Sequence, residues 1–507
     1  MASNNENTDP KENSDIEYQD ISKIEEELLS KPEPKSPFKL IITILFIAFY
    51  FAGFNLTIFF DTIILPEYLA SPAVFGATSA QGDTIFSTLR TISVIISIFA
   101  LIVGGAISDD LRTRFGNRVP MILGGAILTG MGYFLMPLIM KGADGNYILI
   151  TGIIVYALVN IGLGFSLAPD YALISELFTK EERGWAGLGF AGVGLLGTVI
   201  GVIIEAFLIT PYKDTTPQLI NWTLVGFITG GFIILVGLLT FIGTPKKNPP
   251  FPADGTMKDI IATPKYLFQL GSGNDVNNDF LLMFLVGILW GSGTFIISNH
   301  FPVFIRDLRD AGFTTIQSTN ILMFMGISGA IFAGPVGVII TKIGKTKSGI
   351  VGSLILGFFT FSIAQTVAWG DVPIYALAVM VGFGTIFITA INLSLPADLV
   401  PKGKEGQFMG MFTVAASLLA PMAGVVVTVV LQSSADPLKN YGTVFLLTTF
   451  LYLGATFILL FMHYENEMEA IYLAYTRRYL ITRGYISDKT KFAALKVSSS
   501  LKLKKRR

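Results

Sequence analysis

Twelve runs of about 20 apolar residues recur along this chain of 507 residues, each long enough to carry a helix across a hydrocarbon core of roughly 30 Å. They span residues 39–64, 85–107, 119–140, 147–169, 185–209, 221–243, 280–303, 318–340, 350–369, 373–395, 407–431 and 442–462. A bilayer offers no water to backbone N–H and C=O groups, so each must be satisfied within the chain. Helices of this length do so, and barrel strands of about ten residues do not fit such runs. Composition agrees: 14% of the residues are charged, against about 25% in an average soluble domain. The expected fold is all-α and polytopic, with twelve transmembrane helices.

Lys and Arg set the expected orientation. The loops after the even-numbered spans hold 14 of them, those after the odd-numbered spans 5, and the segment after Tyr464 adds 11. The basic side reads as cytoplasmic, which puts both termini inside, and the expected location is the plasma membrane. The longest polar interruption, residues 244–278, divides the chain into six-helix halves at 39–243 and 279–463. Its middle, MKDIIATPKYLFQL, reads either as an interfacial helix or as a tether. Residues 1–38 read as a disordered acidic cytoplasmic tail rather than a leader peptide. Residues 464–507 form a basic cytoplasmic tail, drawn to anionic lipid or simply solvated.

The two halves share their punctuation. ALISELFTKEERGWAG (172–187) and SLPADLVPKGKEGQFM (394–409) align without gaps at an offset of 222 residues, matching Glu176 with Asp398, Leu177 with Leu399, Lys180 with Lys402 and Gly184 with Gly406. GGAISDDLRTRFGNR after the second span is echoed by GPVGVIITKIGKTK after the eighth. Repeats of this kind mark secondary transporters and predict two pseudo-symmetric six-helix bundles.

The loop Ser108–Pro120, SDDLRTRFGNRVP, carries a resemblance. Gly105, Ser108, Asp109, Arg112, Arg114, Phe115, Gly116, Arg118 and Pro120 resemble the signature between the second and third helices of the major facilitator superfamily. The longer form present here resembles the sucrose-proton symporters and the glycoside-pentoside-hexuronide:cation symporters. Pro169, Ala172 and Glu176 resemble the end of helix four of the sucrose type, and Ser394-Leu395-Pro396, Gly406-Gln407 and Pro421 its helix ten to eleven junction. The resemblance implies a small solute, most of all a sugar or glycoside, moved by alternating access with a proton or other cation gradient. It also implies a cytoplasmic gate in which Asp109 faces a helix N-terminus of the other half. Arg112, Arg114 and Arg118, with Gly116 shaping the loop, would bind acids such as Glu176 or Glu182, close to Arg183. Anchoring by the positive-inside rule explains the arginines alone, but not Asp109 or the glycines.

Ionisable groups inside a bilayer are expensive and point to function. Asp61, Arg90 and Glu205 lie at similar depth in one half, so Arg90 is expected to pair with Asp61 or Glu205 as a gate or proton site; snorkelling to the interface is the alternative. Tyr50, Asn55, Asn160, Trp290, Asn299 and His300 offer hydroxyl, amide, indole and imidazole groups suited to a sugar, and equally to helix packing. Asn160 stands where the sucrose type carries an acid, which puts the family's route of coupling in question. Asp170, turned about 100° further round the helix, is the candidate substitute.

The chain has no cysteine and two histidines, His300 and His463, and lacks both a phosphate loop and a helical metal motif. No enzyme, metal or organic cofactor is expected, only a coupling H+ or Na+. The expected partners are the solute and the bilayer, with no nucleic acid, and the expected state is a monomer. The competing readings are transport of an organic acid, drug or lipid, and a non-transporting sensor.

Overall fold

The structure is a computed structural model that describes residues 35–70, 79–140, 145–209, 218–246, 276–310, 318–365, 371–400, 404–432 and 437–462, all within one compact unit, Lys31–Glu465. The acidic tail up to residue 34, residues 247–275 of the central connection and the basic tail lie outside the described residues.

Every described element is a helix. We label α1 Pro37–Phe59, α2 Ser79–Asp110, α3 Val119–Ile139, α4 Gly145–Leu177, α5 Lys180–Ile204, α6 Gln218–Gly243, α7 Val276–Asp310, α8 Ser318–Ile343, α9 Lys345–Ile363, α10 Asp371–Leu399, α11 Glu405–Leu418 with its continuation Ala420–Gln432, and α12 Pro437–Leu459. Among the described residues twelve helices are long and apolar enough to cross a membrane, and the chain is a multi-pass helical membrane protein.

Local chemistry accounts for several boundaries. Pro37 opens α1, where its missing N–H costs nothing. Thr179 and Glu182 form a reciprocal capping box at the start of α5, the hydroxyl accepting from Glu182 N–H at 3.3 Å and the carboxylate from Thr179 N–H at 3.0 Å. The turns into α3 and α9 each need a left-handed residue, and Gly116 and Gly344 supply it with φ of 88°. The break in α11 at Leu419 comes two residues before Pro421, which has no N–H to continue the ladder. Both α1 and α5 end in single π-helical turns, Phe60–Ile64 and Glu205–Ile209, and each turn contains an acid; such turns are frequent at functional positions.

The contacts between halves run through α2, α4 and α5 on one side and α8, α10 and α11 on the other. α2 packs on α11 as α5 packs on α8, the pattern that a twofold relating helix n to helix n+6 produces. Small residues permit this closeness: a Cβ at Gly105 of α2 would land on the Gly406 carbonyl of α11. Within the first half, a Cβ at Gly197 of α5 would land on the Ala52 carbonyl of α1, so this glycine serves helix contact.

Candidate functional site

Two polar constellations lie along the interface between the halves. The first is at the end that carries the loop 111–118. Asp109, in the last turn of α2, accepts from the backbone N–H groups of Gly406 and Gln407 at 2.9 Å each. These are orphan donors of the first turn of α11, where the helix dipole favours an anion.

Arg118, 2% exposed, binds Asp109 at 2.6 Å, Glu176 of α4 at 2.5 and 2.8 Å, the Ser108 hydroxyl at 2.6 Å and Glu405 of α11 at 3.6 Å. Burial by itself would depress the guanidinium, but Asp109, Glu176 and Glu405 reverse this and hold its pKa above the usual arginine value. Arg118 is therefore the loop arginine that joins the halves. Arg112 donates to the carbonyls of Asp109 and Leu111, and Arg114 lies over the Phe115 ring, 4.6 Å from its centre.

A second bridge crosses the same end. Arg183 of α5 donates to the Asp398 carboxylate and the Ala397 carbonyl of α10, both at 2.9 Å, and Lys345 also binds Asp398. The offset that pairs Glu176 with Asp398 also pairs Arg183 with Glu405. The repeat mate of the Arg183–Asp398 pair is thus Glu405 with Glu176, two acids, and Arg118 stands between them to bind both. Glu182 has a different place: its carboxylate caps α5 and accepts from the Lys35 N–H at 2.6 Å. Sequence reasoning did not single out Glu405, Lys345 or Lys35, and it reached Asp398 only as the repeat mate of Glu176.

Asp109→Asn is expected to weaken this cross-half network, since an amide brings no net charge to the α11 N-terminus and none to Arg118. With Ala172, now fully buried, replaced by the chain's only cysteine, alkylation from the loop end should accelerate several-fold. An unchanged rate would reduce Asp109 to a structural cap.

Beyond this network lies a cavity of about 330 Å³ whose wall includes Leu101 of α2 and Met409 of α11, two turns and one turn from Asp109 and Gly406 respectively. From the first half come Asp61, Arg90, Ser97 and Asn160, and from the second Trp290 and Asn392. Asp61 sits on the π-helical turn, which aims it inward at three donors. Arg90 approaches to 3.5 Å, and the hydroxyls of Tyr133 and Tyr156 donate at 3.1 and 2.9 Å. The two tyrosines come from α3 and α4, and nothing in the local sequence marks them.

Asn160 is locked in place, accepting from the Ser97 hydroxyl at 2.6 Å and donating to the Tyr156 carbonyl at 2.8 Å. Trp290 donates its indole N–H to Ser353 at 2.7 Å and is buried, so it meets the cavity with little of its ring surface. Of the two partners considered for Arg90, the geometry joins it to Asp61; Glu205 is buried on the π-helical turn after α5 and is not part of the cavity wall.

Four other candidates also stand back from that wall. Tyr50 bonds to Ser166 inside the first half, and Asn55 spends its amide on the Phe51 carbonyl of its own helix. Asp170 is fully buried behind Tyr171, and His300 lies further along α7. The Asn299 side chain lies outside the described residues. Helical periodicity places such groups at a depth but does not say which face meets the cavity. Among the described residues no three His, Cys, Asp or Glu side chains gather as a metal site.

Comparison with known proteins follows this geometry. A family model described as Major Facilitator Superfamily matches residues 41–425. Rat monocarboxylate transporter 1 is 25% identical over 281 residues, 54% of this chain and 47% of that protein. The chain thus spans about half the length of the monocarboxylate relatives it matches. The glucuronide carrier protein homolog of Escherichia coli K12 is 23% identical over 365 residues, 69% of this chain and 73% of the other. Among solved structures, the human organic anion transporter MFSD10 superposes with a TM-score of 0.59 at 17% identity over 84% of this chain and 100% of that one. The proton:xylose symporter XylE, bound to 6-bromo-6-deoxy-D-glucose, gives 0.61 at 16% identity over 85% and 99%. With the family model running from the first helix into the eleventh over a shared twelve-helix fold, this chain belongs to the major facilitator superfamily.

Proposed function

We propose that this transporter moves a small neutral, hydroxylated solute, a sugar or glycoside, by alternating access through the central cavity, driven by a proton or other monovalent cation. One observation carries the solute class. The charged side chains in the cavity wall, Asp61 and Arg90, are already paired with each other at 3.5 Å. What remains for a solute is hydroxyls, the Asn392 amide, the second amide N–H of Asn160 and aromatic surface such as Phe54. Such a set hydrogen-bonds to sugar hydroxyls and stacks on a C–H face, while offering an anion no unspent positive charge.

The sucrose-type form of the loop and the glucuronide carrier relative support this branch. On the same reading the loop end is cytoplasmic, the protein resides in the plasma membrane, and Asp109 with Arg118 forms its inner gate. The described conformation is then closed to the cytoplasm. A second reading, transport of an organic acid, has its own support in the monocarboxylate relatives. It would require Arg90 to leave Asp61 for the solute.

Uptake into proteoliposomes separates the two. With a pH or sodium gradient imposed, a mono- or disaccharide should accumulate and small carboxylates should not; uptake of carboxylates alone would sink the sugar reading. Uptake of nothing on the panel would favour a sensor. For a transported sugar, Asn392→Ala should raise KM about fivefold at unchanged abundance, the loss of one hydrogen bond worth about 1 kcal/mol.

A further inference from the structure

We propose that the loop end of the first half carries a site for an anionic phospholipid, in which Arg114 of the loop before α3 and Lys246, just past α6, take the lipid phosphate together. Both cations lie over the ring of Phe115, at 4.6 and 5.1 Å from its centre, and Lys246 is also 5.6 Å from the centre of the Phe241 ring in the last turn of α6. Both are exposed. Among the described residues neither meets a carboxylate. Other cations of this end spend their charge differently: Arg118 on Asp109, Glu176 and Glu405, Arg183 and Lys345 on Asp398, and Lys35 on Glu182.

The loop holds this platform in place. The Thr113 hydroxyl accepts from the Phe115 N–H at 3.1 Å and donates to the Gly116 carbonyl at 2.6 Å, and Gly116 makes the left-handed turn toward α3. Phe115 then rests on Phe241, ring centres 5.3 Å apart, so the two rings join the loop to the end of α6. A cation over an exposed ring face gains about 0.5–1 kcal/mol. The ring does not neutralise it, so the guanidinium and the ammonium keep their charge and their N–H groups for an anion. Both lie within 5.1 Å of one ring centre, in reach of a single phosphodiester headgroup. Arginine meets phosphate with paired donors and lysine with a point charge.

Position selects a lipid over a soluble anion. Leu235, Leu238 and Ile242 of α6 are exposed a helical turn apart, the outward stripe of a spanning helix, and that stripe ends beside Phe241 and Lys246. On α3, which packs along α6, Gly124 is exposed and a Cβ there would meet no heavy atom within 4 Å, so an acyl chain has room to lie close. A headgroup held by the two cations would send its chains along this surface. Aromatic rings beside basic side chains at the end of a span are where headgroups lie. On the cytoplasmic reading of the loop end given above, the leaflet it faces is the anionic one; binding itself does not depend on that reading or on the solute.

The test uses the purified full-length chain in a neutral detergent without solute. Phosphatidylglycerol is titrated while the thermal midpoint is read by intrinsic tryptophan fluorescence. Phosphatidylcholine, glycerophosphoglycerol (the same headgroup without acyl chains) and an acidic peptide are titrated beside it. Phosphatidylglycerol should raise the midpoint saturably and the other three should not. Arg114→Gln with Lys246→Gln should weaken the apparent affinity roughly twentyfold, about fivefold for each cation removed. Lys342→Gln with Lys347→Gln, which takes the same charge from exposed positions on the other half, should leave the affinity as in wild type. Should the first double variant not be recovered from membranes, Lys246→Gln alone decides, with a loss of about fivefold. An unaltered affinity in these Arg114 and Lys246 variants, an equal loss in the Lys342 and Lys347 control, or no preference for phosphatidylglycerol over phosphatidylcholine would each overturn the site. Equal binding of glycerophosphoglycerol or of the peptide would make the patch a soluble-anion or protein site and overturn the lipid. Lipid binding without uptake of any solute would remove the transport reading and leave this site standing.

Discussion

Arg118→Ala is expected to be the most damaging single substitution at the loop end. It costs about 3–5 kcal/mol, the range for removing one partner of a buried charge pair. The reason is what stays behind. Asp109, Glu176 and Glu405 all lie within 3.6 Å of the guanidinium, and without it three carboxylates face one another around a buried void. The purified variant should show a much lower thermal midpoint, and with Ala172 replaced by cysteine its loop end should stand open to thiol reagents. Arg118→Lys should rescue little, because one ammonium cannot reproduce the planar fork that meets Asp109, Glu176 and Ser108 together. Arg118→Ala with Glu176→Gln should recover part of the loss by removing one unpaired charge. A midpoint within a degree or so of wild type for Arg118→Ala, a shift of roughly 0.5 kcal/mol or less, would show the network to be solvated and weak.

The second large effect is expected at Arg90 and Asp61. Arg90→Ala leaves Asp61, 7% exposed, with tyrosine hydroxyls as its remaining partners among those named above. Asp61→Asn leaves Arg90 without its anion beside the cavity. Each should lower gradient-driven uptake about a hundredfold or more at comparable abundance, since 3 kcal/mol or so withheld from the transport cycle has that effect on a rate. The double variant Asp61→Asn/Arg90→Gln separates structure from mechanism. If the pair only holds helices α1 and α2 together, removing both charges should restore uptake. If it takes part in coupling, exchange of solute across the membrane should return while accumulation against a gradient should not. Full accumulation by the double variant would dismiss the pair from the mechanism.

Much of the fold was legible because a bilayer imposes a rule on length and polarity that local sequence must obey. A run of about 20 apolar residues has few other outcomes, so the twelve spans could be read, though not all their ends: α4 runs on to Leu177 and α7 to Asp310, past the expected 169 and 303, because polar residues at the membrane surface continue the helix. The glycines of the two matching loops were legible for a similar reason: Gly116 and Gly344 take a backbone conformation that side chains oppose. The site was legible only in outline. Arg112, Arg114 and Arg118 have the same charge on the same loop, yet Arg118, on the residue before α3, is the one whose guanidinium faces α4 and α11 together. Tyr133 and Tyr156 carry no local mark, since an aromatic in an apolar span is ordinary packing until Asp61 of another helix comes into reach.

The sequence by itself therefore determined the helical class, the number of spans, the repeat that relates the halves and the loop that names the superfamily, because each of these depends on neighbours along the chain. Tertiary structure decided which charges meet. It paired Arg90 with Asp61, set Asp109 on the first turn of α11, and left the Asp170 carboxylate buried without a hydrogen-bond donor. Those outcomes depend on which faces of distant helices pack together, and helical periodicity specifies a face only relative to its own axis.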